Sequence, residues 1–197
     1  MLGPGYIDLA FRTARAADPT ALLTYNDYSI EYDNDQEGKK RTAVLALLRR
    51  MKADKVPLDA LGIQSHIHAV SKDAVSRDGV SRGVPELIEG SKALGLQVFV
   101  TELDVNDDAV ATDDIAERDK IVAEMYLSYL TTALNGTEVK AVLTWGASDK
   151  NTWLNNGTKF RKQHPDRLQR PLPFDPEYAP APAFFAIRES FDNGKKR

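Results

Sequence analysis

A chain of 197 residues has room for one sizeable domain, and its 42% apolar and 28% charged residues are the balance of an ordinary globular fold. A net charge of -3, with no Lys/Arg run longer than three residues, leaves no nucleic-acid footprint. The absence of cysteine excludes disulfides, thiolate metal ligands and a thiol nucleophile, and no apolar run approaches the length of a membrane span.

The opening Met1-Leu2-Gly3-Pro4-Gly5 lacks the basic-then-apolar layout of a signal peptide, so the expectation is a cytoplasmic chain or one whose leader has been removed. A helix is predicted from Tyr6 to Ala17, with Ile7, Ala10, Phe11 and Ala14 on one face and a stop at Asp18-Pro19. Residues 21–27 form a short apolar run that turns polar at Asn26-Asp27. A helix rich in Ala, Leu and Val follows from Lys39 to Ala53, and a second strand-like run from Ala60 to His66. Val84-Pro85 is expected to open a third helix that Gly95 closes. Residues 97–102 are a third strand. Thr112 or Asp113 is expected to cap a long helix to Ala133, striped by Ile115, Val122, Met125 and Tyr129 and ended by Asn135-Gly136. Residues 141–146 make the fourth strand, and a Pro-rich segment leads to a last helix from Ala181 to Phe191 and a basic tail at Lys195 to Arg197.

The four strands recur roughly every 40 residues, the size of a helix-plus-strand unit, which implies an α/β fold with a parallel sheet. A doubly wound sheet would carry a Gly-rich phosphate loop after one strand, and none is present. The other home for such units is a (β/α)8 barrel of the TIM type, which needs about 250 residues and eight strands. This chain holds about half of one, as a single partial domain over residues 1–197.

Chemistry gathers at the strand ends. Val98-Phe99-Val100-Thr101-Glu102-Leu103-Asp104 is a buried-strand pattern closing on two carboxylates, and in a regular strand Glu102 and Asp104 face the same way. A solvated strand end would show the same composition. The other tips are Tyr25-Asn26-Asp27-Tyr28, Gln64-Ser65-His66, and Trp145-Gly146-Ala147-Ser148-Asp149 followed by Trp153. A lone histidine at a strand end is commonly a structural group, and an indole is commonly core or a surface anchor. His66, His68 and the nearby carboxylates also admit a zinc reading, which is the weaker one.

In this order and at these spacings, the four tips resemble the last four strands of the catalytic domain of glycoside hydrolase family 10, chiefly endo-β-1,4-xylanases. The likeness runs from about Gly5, whose Gly-Tyr-Ile-Asp-Leu-Ala-Phe-Arg is similar to the helix after the fourth barrel strand, to Phe191. It implies a C-terminal half barrel that hydrolyses xylan or xylo-oligosaccharides with retention, without cofactor or metal, and without a nucleic-acid or membrane partner. By the same resemblance Glu102 stands at the nucleophile position, and His66 at that of a group hydrogen-bonding the nucleophile and the sugar. Gln64, Trp145, Trp153 and Asp149 match substrate-binding positions. Asn26 and Tyr28 match the loop bordering the leaving-group side, and Asp104 is expected to support the site from behind. The family acts mostly outside the cell, which implies a secreted or periplasmic protein.

Retaining hydrolysis needs a second carboxyl group about 5 to 5.5 Å from the nucleophile, to protonate the leaving oxygen. The family supplies it from an Asn-Glu pair at the end of the fourth strand, and this sequence begins just after that point. Glu31 and Glu37 are candidates by elimination. Half a barrel would also expose two strand edges, so the expectation is closure by a twofold homodimer or by a complementing N-terminal half. The alternative function is an impaired half barrel that serves as an oligosaccharide-binding or structural module.

Overall fold

The computed structural model describes residue 3 and residues 5–69, 76–136 and 138–194. Most of the opening segment read for a leader, and the basic tail from Lys195 to Arg197, lie outside the described residues. The elements follow in the order α1 (Tyr6–Ala17), β1 (Thr24–Asp27), α2 (Asp35–Ala53), β2 (Ala60–Ile63), β3 (His66–His68), α3 (Ser76–Lys92), β4 (Gln97–Asn106), α4 (Ile115–Ala133), β5 (Val139–Thr144), α5 (Lys159–Gln163) and α6 (Pro182–Gly194).

Among the described residues these strands pair in parallel, as the alternation of strands and helices requires. β4 is central. It pairs with β2 through its first half, with β3 through Asp104–Asn106, and with β5 along its other edge, while β1 lies outside β2. β2 and β3 are therefore one stave broken at Gln64-Ser65, and the sheet consists of four staves. Among the described residues β1 pairs with β2 alone and β5 with β4 alone.

One face of the sheet carries the core. Leu61, Ile63, Ile67, Val98, Val100, Leu103 and Val105 are fully buried and join one apolar cluster with Leu48 and Met51 of α2, Leu87 of α3, and Tyr126, Tyr129 and Leu130 of α4. The opposite face is more open: Leu143 of β5 is about half exposed, and so is Trp145 just beyond the strand. A (β/α)8 stave is built this way, with helices outside and a second set of side chains facing the barrel interior.

The starts of three helices differ from the sequence-based expectation, and β4 and β5 span Gln97–Asn106 and Val139–Thr144 where strands are expected over 97–102 and 141–146. α2 begins at Asp35 because the Asn34 side chain accepts from the Glu37 amide at 2.9 Å, so Asp35-Gln36-Glu37-Gly38, which reads as loop, is the first turn. α4 is capped by Asp114, which accepts from Glu117, rather than by Thr112 or Asp113. α3 starts at Ser76 and runs through Pro85, which was expected near its first turn. A proline inside a helix removes one backbone donor, but the flanking buried residues Val84 and Leu87 hold this turn on the core.

Candidate active site

β4 does not keep strict alternation. Its register against β5 shifts between Val100 and Leu103, so three steps along β4 match two along β5. A bulge of this kind re-aims side chains. Here it puts two successive residues on one side: Thr101 Oγ1 donates to Asn26 Oδ1 at 2.7 Å, and Asn26 Nδ2 donates to Glu102 Oε1 at 2.9 Å. Beyond the bulge Leu103 returns to the core, and Asp104 shares the side of Glu102.

Asn26 thus stands on β1, within the apolar run expected over 21–27, and binds the carboxylate, whereas the resemblance implies a place in the loop at the border of the cleft. The chain can approach this closely because the neighbouring stave carries Gly62. A Cβ there would lie 2.6 Å from Asn26 Oδ1 and 3.0 Å from the Thr101 methyl.

The second oxygen of Glu102 faces His66. Nε2 of the imidazole lies 3.3 Å from Glu102 Oε2, and Nδ1 lies 2.9 Å from Asp104 Oδ1. Asp104 is only 1% exposed, and its other oxygen accepts from Trp153 Nε1 at 2.8 Å. Indole, carboxylate, imidazole and carboxylate form one chain from the 148–155 segment to β4. Burial disfavours the charged imidazole, but the Asp104 hydrogen bond and the charges of Asp104 and Glu102 outweigh it and raise the His66 pKa above its ordinary value. Trp153 and Trp145 meet His66 edge-on, with ring centroids 5.5 and 6.3 Å away, and both indoles remain nearly half exposed. The result is an open apolar wall above an ionic floor, the surface that suits a sugar ring.

Gln64 is half-buried beside this group. Its carbonyl accepts from the Glu102 amide at 3.0 Å, and the Ser65 carbonyl accepts from Asp104 at 3.4 Å. Ser65 adopts a left-handed backbone with φ of 66°, which breaks the stave and brings both Gln64 and His66 against β4. Tyr28 lies one residue past β1, over half exposed, with Lys40 Nζ 3.9 Å from its ring centroid and bound to Asp27 at 2.7 Å.

Other expectations need correction. Asp149 matched a substrate-binding position but is 97% buried; its Oδ1 accepts from the Leu172 amide at 2.9 Å and ties the loop before Trp153 to the Pro-rich segment. Burial pushes this carboxyl up to about 7, against the Leu172 bond. Glu31 and Glu37 are not exposed to a substrate as an acid would be. Glu31 is 2% exposed and accepts from the Ile30 and Ser65 amides at 2.7 and 2.8 Å, while Glu37 accepts from the Tyr32 amide. His68 is exposed, 3.5 Å from Asp108, and no cluster fit to hold a metal occurs among the described residues. Thr101 and Ser65, which stand in the strand tips without an expected role, bind Asn26 and Glu31, and Glu31 serves as an acceptor of backbone amides.

The model of glycosyl hydrolase family 10 matches residues 1–190, and the chain belongs to that family. It is 31% identical over 195 residues to endo-1,4-beta-xylanase B of Thermotoga neapolitana, covering 99% of this chain and 51% of the relative. Among solved structures it superimposes on native xylanase 10B from Thermotoga maritima with a TM-score of 0.81 at 33% identity, over 100% of this chain and 55% of that one. A mutant of xylanase 10C from Cellvibrio japonicus in complex with xylopentaose gives 0.80 at 29% identity, over 97% and 38%. The chain spans about half the length of the curated relative from Thermotoga neapolitana, and the fold is correspondingly part of a TIM barrel.

Proposed function

We propose that this chain is the C-terminal half of a retaining endo-1,4-β-xylanase domain, with Glu102 as its nucleophile. The observation that carries this reading is the Glu102 carboxylate held by Asn26 on one oxygen and His66 on the other, at the tips of adjacent parallel strands and under two exposed indoles. A carboxylate fixed in this way is aimed before substrate arrives, which lowers the cost of reaching an anomeric carbon. Attack forms a glycosyl ester on Glu102 and expels the leaving alcohol; water then cleaves the ester, and the configuration is retained. Asp104 holds the imidazole, and Trp153 holds Asp104. Trp145 and Trp153 stack against xylose rings, with Gln64 at the floor and Tyr28 towards the leaving group.

The acid that protonates the leaving oxygen comes from a second polypeptide segment. Asp104 has both oxygens engaged, and Glu31 and Glu37 are bound to backbone amides. The same segment closes the sheet against the edges of β1 and β5 that have no partner strand among the described residues, and covers Leu143. A complementing N-terminal half satisfies both needs, whereas a twofold dimer of this chain closes the edges without adding the acid. The substrate is xylan or a xylo-oligosaccharide, in keeping with the xylopentaose and xylobiose complexes of structurally similar xylanases.

The test mixes the chain with a polypeptide carrying the first four βα units of a relative and follows reducing-end release from xylan. Hydrolysis by the mixture that neither part shows alone, and that Glu102→Gln abolishes, is expected. A stable 1:1 complex that binds xylo-oligosaccharides but leaves xylan intact would overturn the catalytic reading in favour of a binding module.

A further inference from the structure

Glu31 is a buried carboxylate with no place in the chemistry above, yet the surrounding chain is built to hold it. Arg41, 5% exposed, brackets it by donating to the carbonyls of Ile30 and Tyr32, both at 3.0 Å, and is itself fixed by Asp33 at 3.1 Å and Glu86 at 2.7 Å. The backbone of residue 31 presses on α3 at Gly83, where a Cβ would come within 2.1 Å of the Glu31 carbonyl oxygen. Its carboxylate then crosses to the next stave and takes the Ser65 amide at 2.8 Å.

That amide belongs to the left-handed residue on which the stave breaks. The Ser65 side chain, fully buried, bonds the Ile63 carbonyl at 3.1 Å and the Tyr129 hydroxyl at 2.5 Å. On the other side of the turn, the Gln64 and Ser65 carbonyls receive the amides of Glu102 and Asp104. A left-handed serine is sterically disfavoured and persists only where its surroundings enforce it. We propose that Glu31 is a positioning residue: by holding the Ser65 amide it fixes the turn that aims His66 at Glu102 and sets Gln64 against β4.

The inference rests on the reading of Glu102 as nucleophile for its kinetic arm, and its spectroscopic arm is independent of that reading. Glu31→Gln retains the side-chain volume but offers one acceptor oxygen to two amide donors. In the full-length chain labelled at histidine, the wild-type His66 carbon signals are expected to titrate above the ordinary histidine range, and those of Glu31→Gln to move back towards it as contact with Asp104 and Glu102 loosens. With a 2-fluoro aryl xylobioside, covalent labelling followed by intact mass is expected to slow on the order of 10- to 100-fold in the variant, the cost of a misplaced reacting group. A residue that merely stabilised the fold would lower the melting temperature and leave both readouts unchanged in the folded protein, and that result would overturn the proposal. If the wild type is not labelled at all, the nucleophile reading fails, and the His66 titration alone judges Glu31.

Glu31→Asp, one methylene shorter, is expected to show the same changes, and wild-type behaviour in a folded Glu31→Asp also overturns the proposal. Should neither variant fold, amide exchange in the wild type decides. The Ser65 amide is expected to exchange only through global unfolding, and exchange at the rate of exposed loops overturns the assignment.

Discussion

Replacing Asp104 by asparagine probes the support of the nucleophile at its most buried point. The carboxylate is 1% exposed and accepts two bonds, from His66 Nδ1 at 2.9 Å and from Trp153 Nε1 at 2.8 Å. Asparagine has one acceptor oxygen, so it can serve one donor and must present its own NH2 to the other. A charge-assisted hydrogen bond contributes about 1.5 to 3 kcal/mol, and an orphaned buried donor costs a similar amount. The expected loss of unfolding free energy is therefore about 2 to 4 kcal/mol at mildly acid pH. The sign of its pH dependence follows from His66, whose folded pKa lies above its ordinary 6.5. The stability that the charged imidazole contributes is fully present below the ordinary value and is lost as pH rises through the folded one. Asp104→Asn removes most of that contribution, so its penalty is expected to be larger near pH 5.5 than near pH 8, where about 1 to 2 kcal/mol of lost hydrogen bonding remains. Urea unfolding of both proteins at the two pH values measures it, and histidine carbon shifts report the His66 pKa directly. An equal penalty at both values, together with an unmoved His66 pKa, would show that Asp104 does not hold a charged His66.

Two further outcomes follow from single residues. Gly62→Ala places a methyl group 2.6 Å from Asn26 Oδ1, so Asn26 is expected to swing away from Glu102. Covalent labelling by the fluorinated xylobioside should then slow about tenfold, with a stability loss of about 1 kcal/mol, and unchanged labelling would mean that Asn26 does not orient the carboxylate. Asp149 shares the sign of the His66 pH dependence, although its cause is a penalised carboxylate rather than a stabilised imidazolium. Its folded pKa of about 7 exceeds the ordinary 3.8, so its ionisation is penalised in the folded state and stability falls as pH rises from about 4 to 7. Asp149→Asn removes this titration and is expected to flatten the stability profile, with a relative gain above pH 7 of at most roughly 4 kcal/mol. Parallel profiles for the two proteins in thermal scans from about pH 4 to 8 would exclude the buried, raised carboxyl.

The strand tips were legible because a buried parallel strand is an uninterrupted apolar run, and a polar or aromatic residue at its end stands out against it. Glu102, Asp104, His66, Trp145 and Trp153 were found this way and come together in the structure. The bulge at Thr101-Glu102 and the break at Ser65 left no mark, because both are backbone departures at residues with ordinary side chains. A glycine at 65 would have signalled the left-handed turn; serine conceals it. Asp149 was misplaced for a different reason. A carboxylate between two tryptophans reads as cleft lining, while its burial depends on the return of the Pro-rich segment about twenty residues later. The role of Glu31 was out of reach because it pairs with a backbone amide, and every residue carries one.

The central claim is that the 102 side chain becomes covalently bonded to sugar. The most direct measurement is peptide mapping by mass spectrometry after incubation with a 2-deoxy-2-fluoro xylobioside bearing a dinitrophenyl leaving group, which needs little acid assistance. One fluoroxylobiosyl ester is expected, located on Glu102 and absent from Glu102→Gln. An ester on any other residue, or no ester in a sample whose His66 titration shows the site intact, would contradict it.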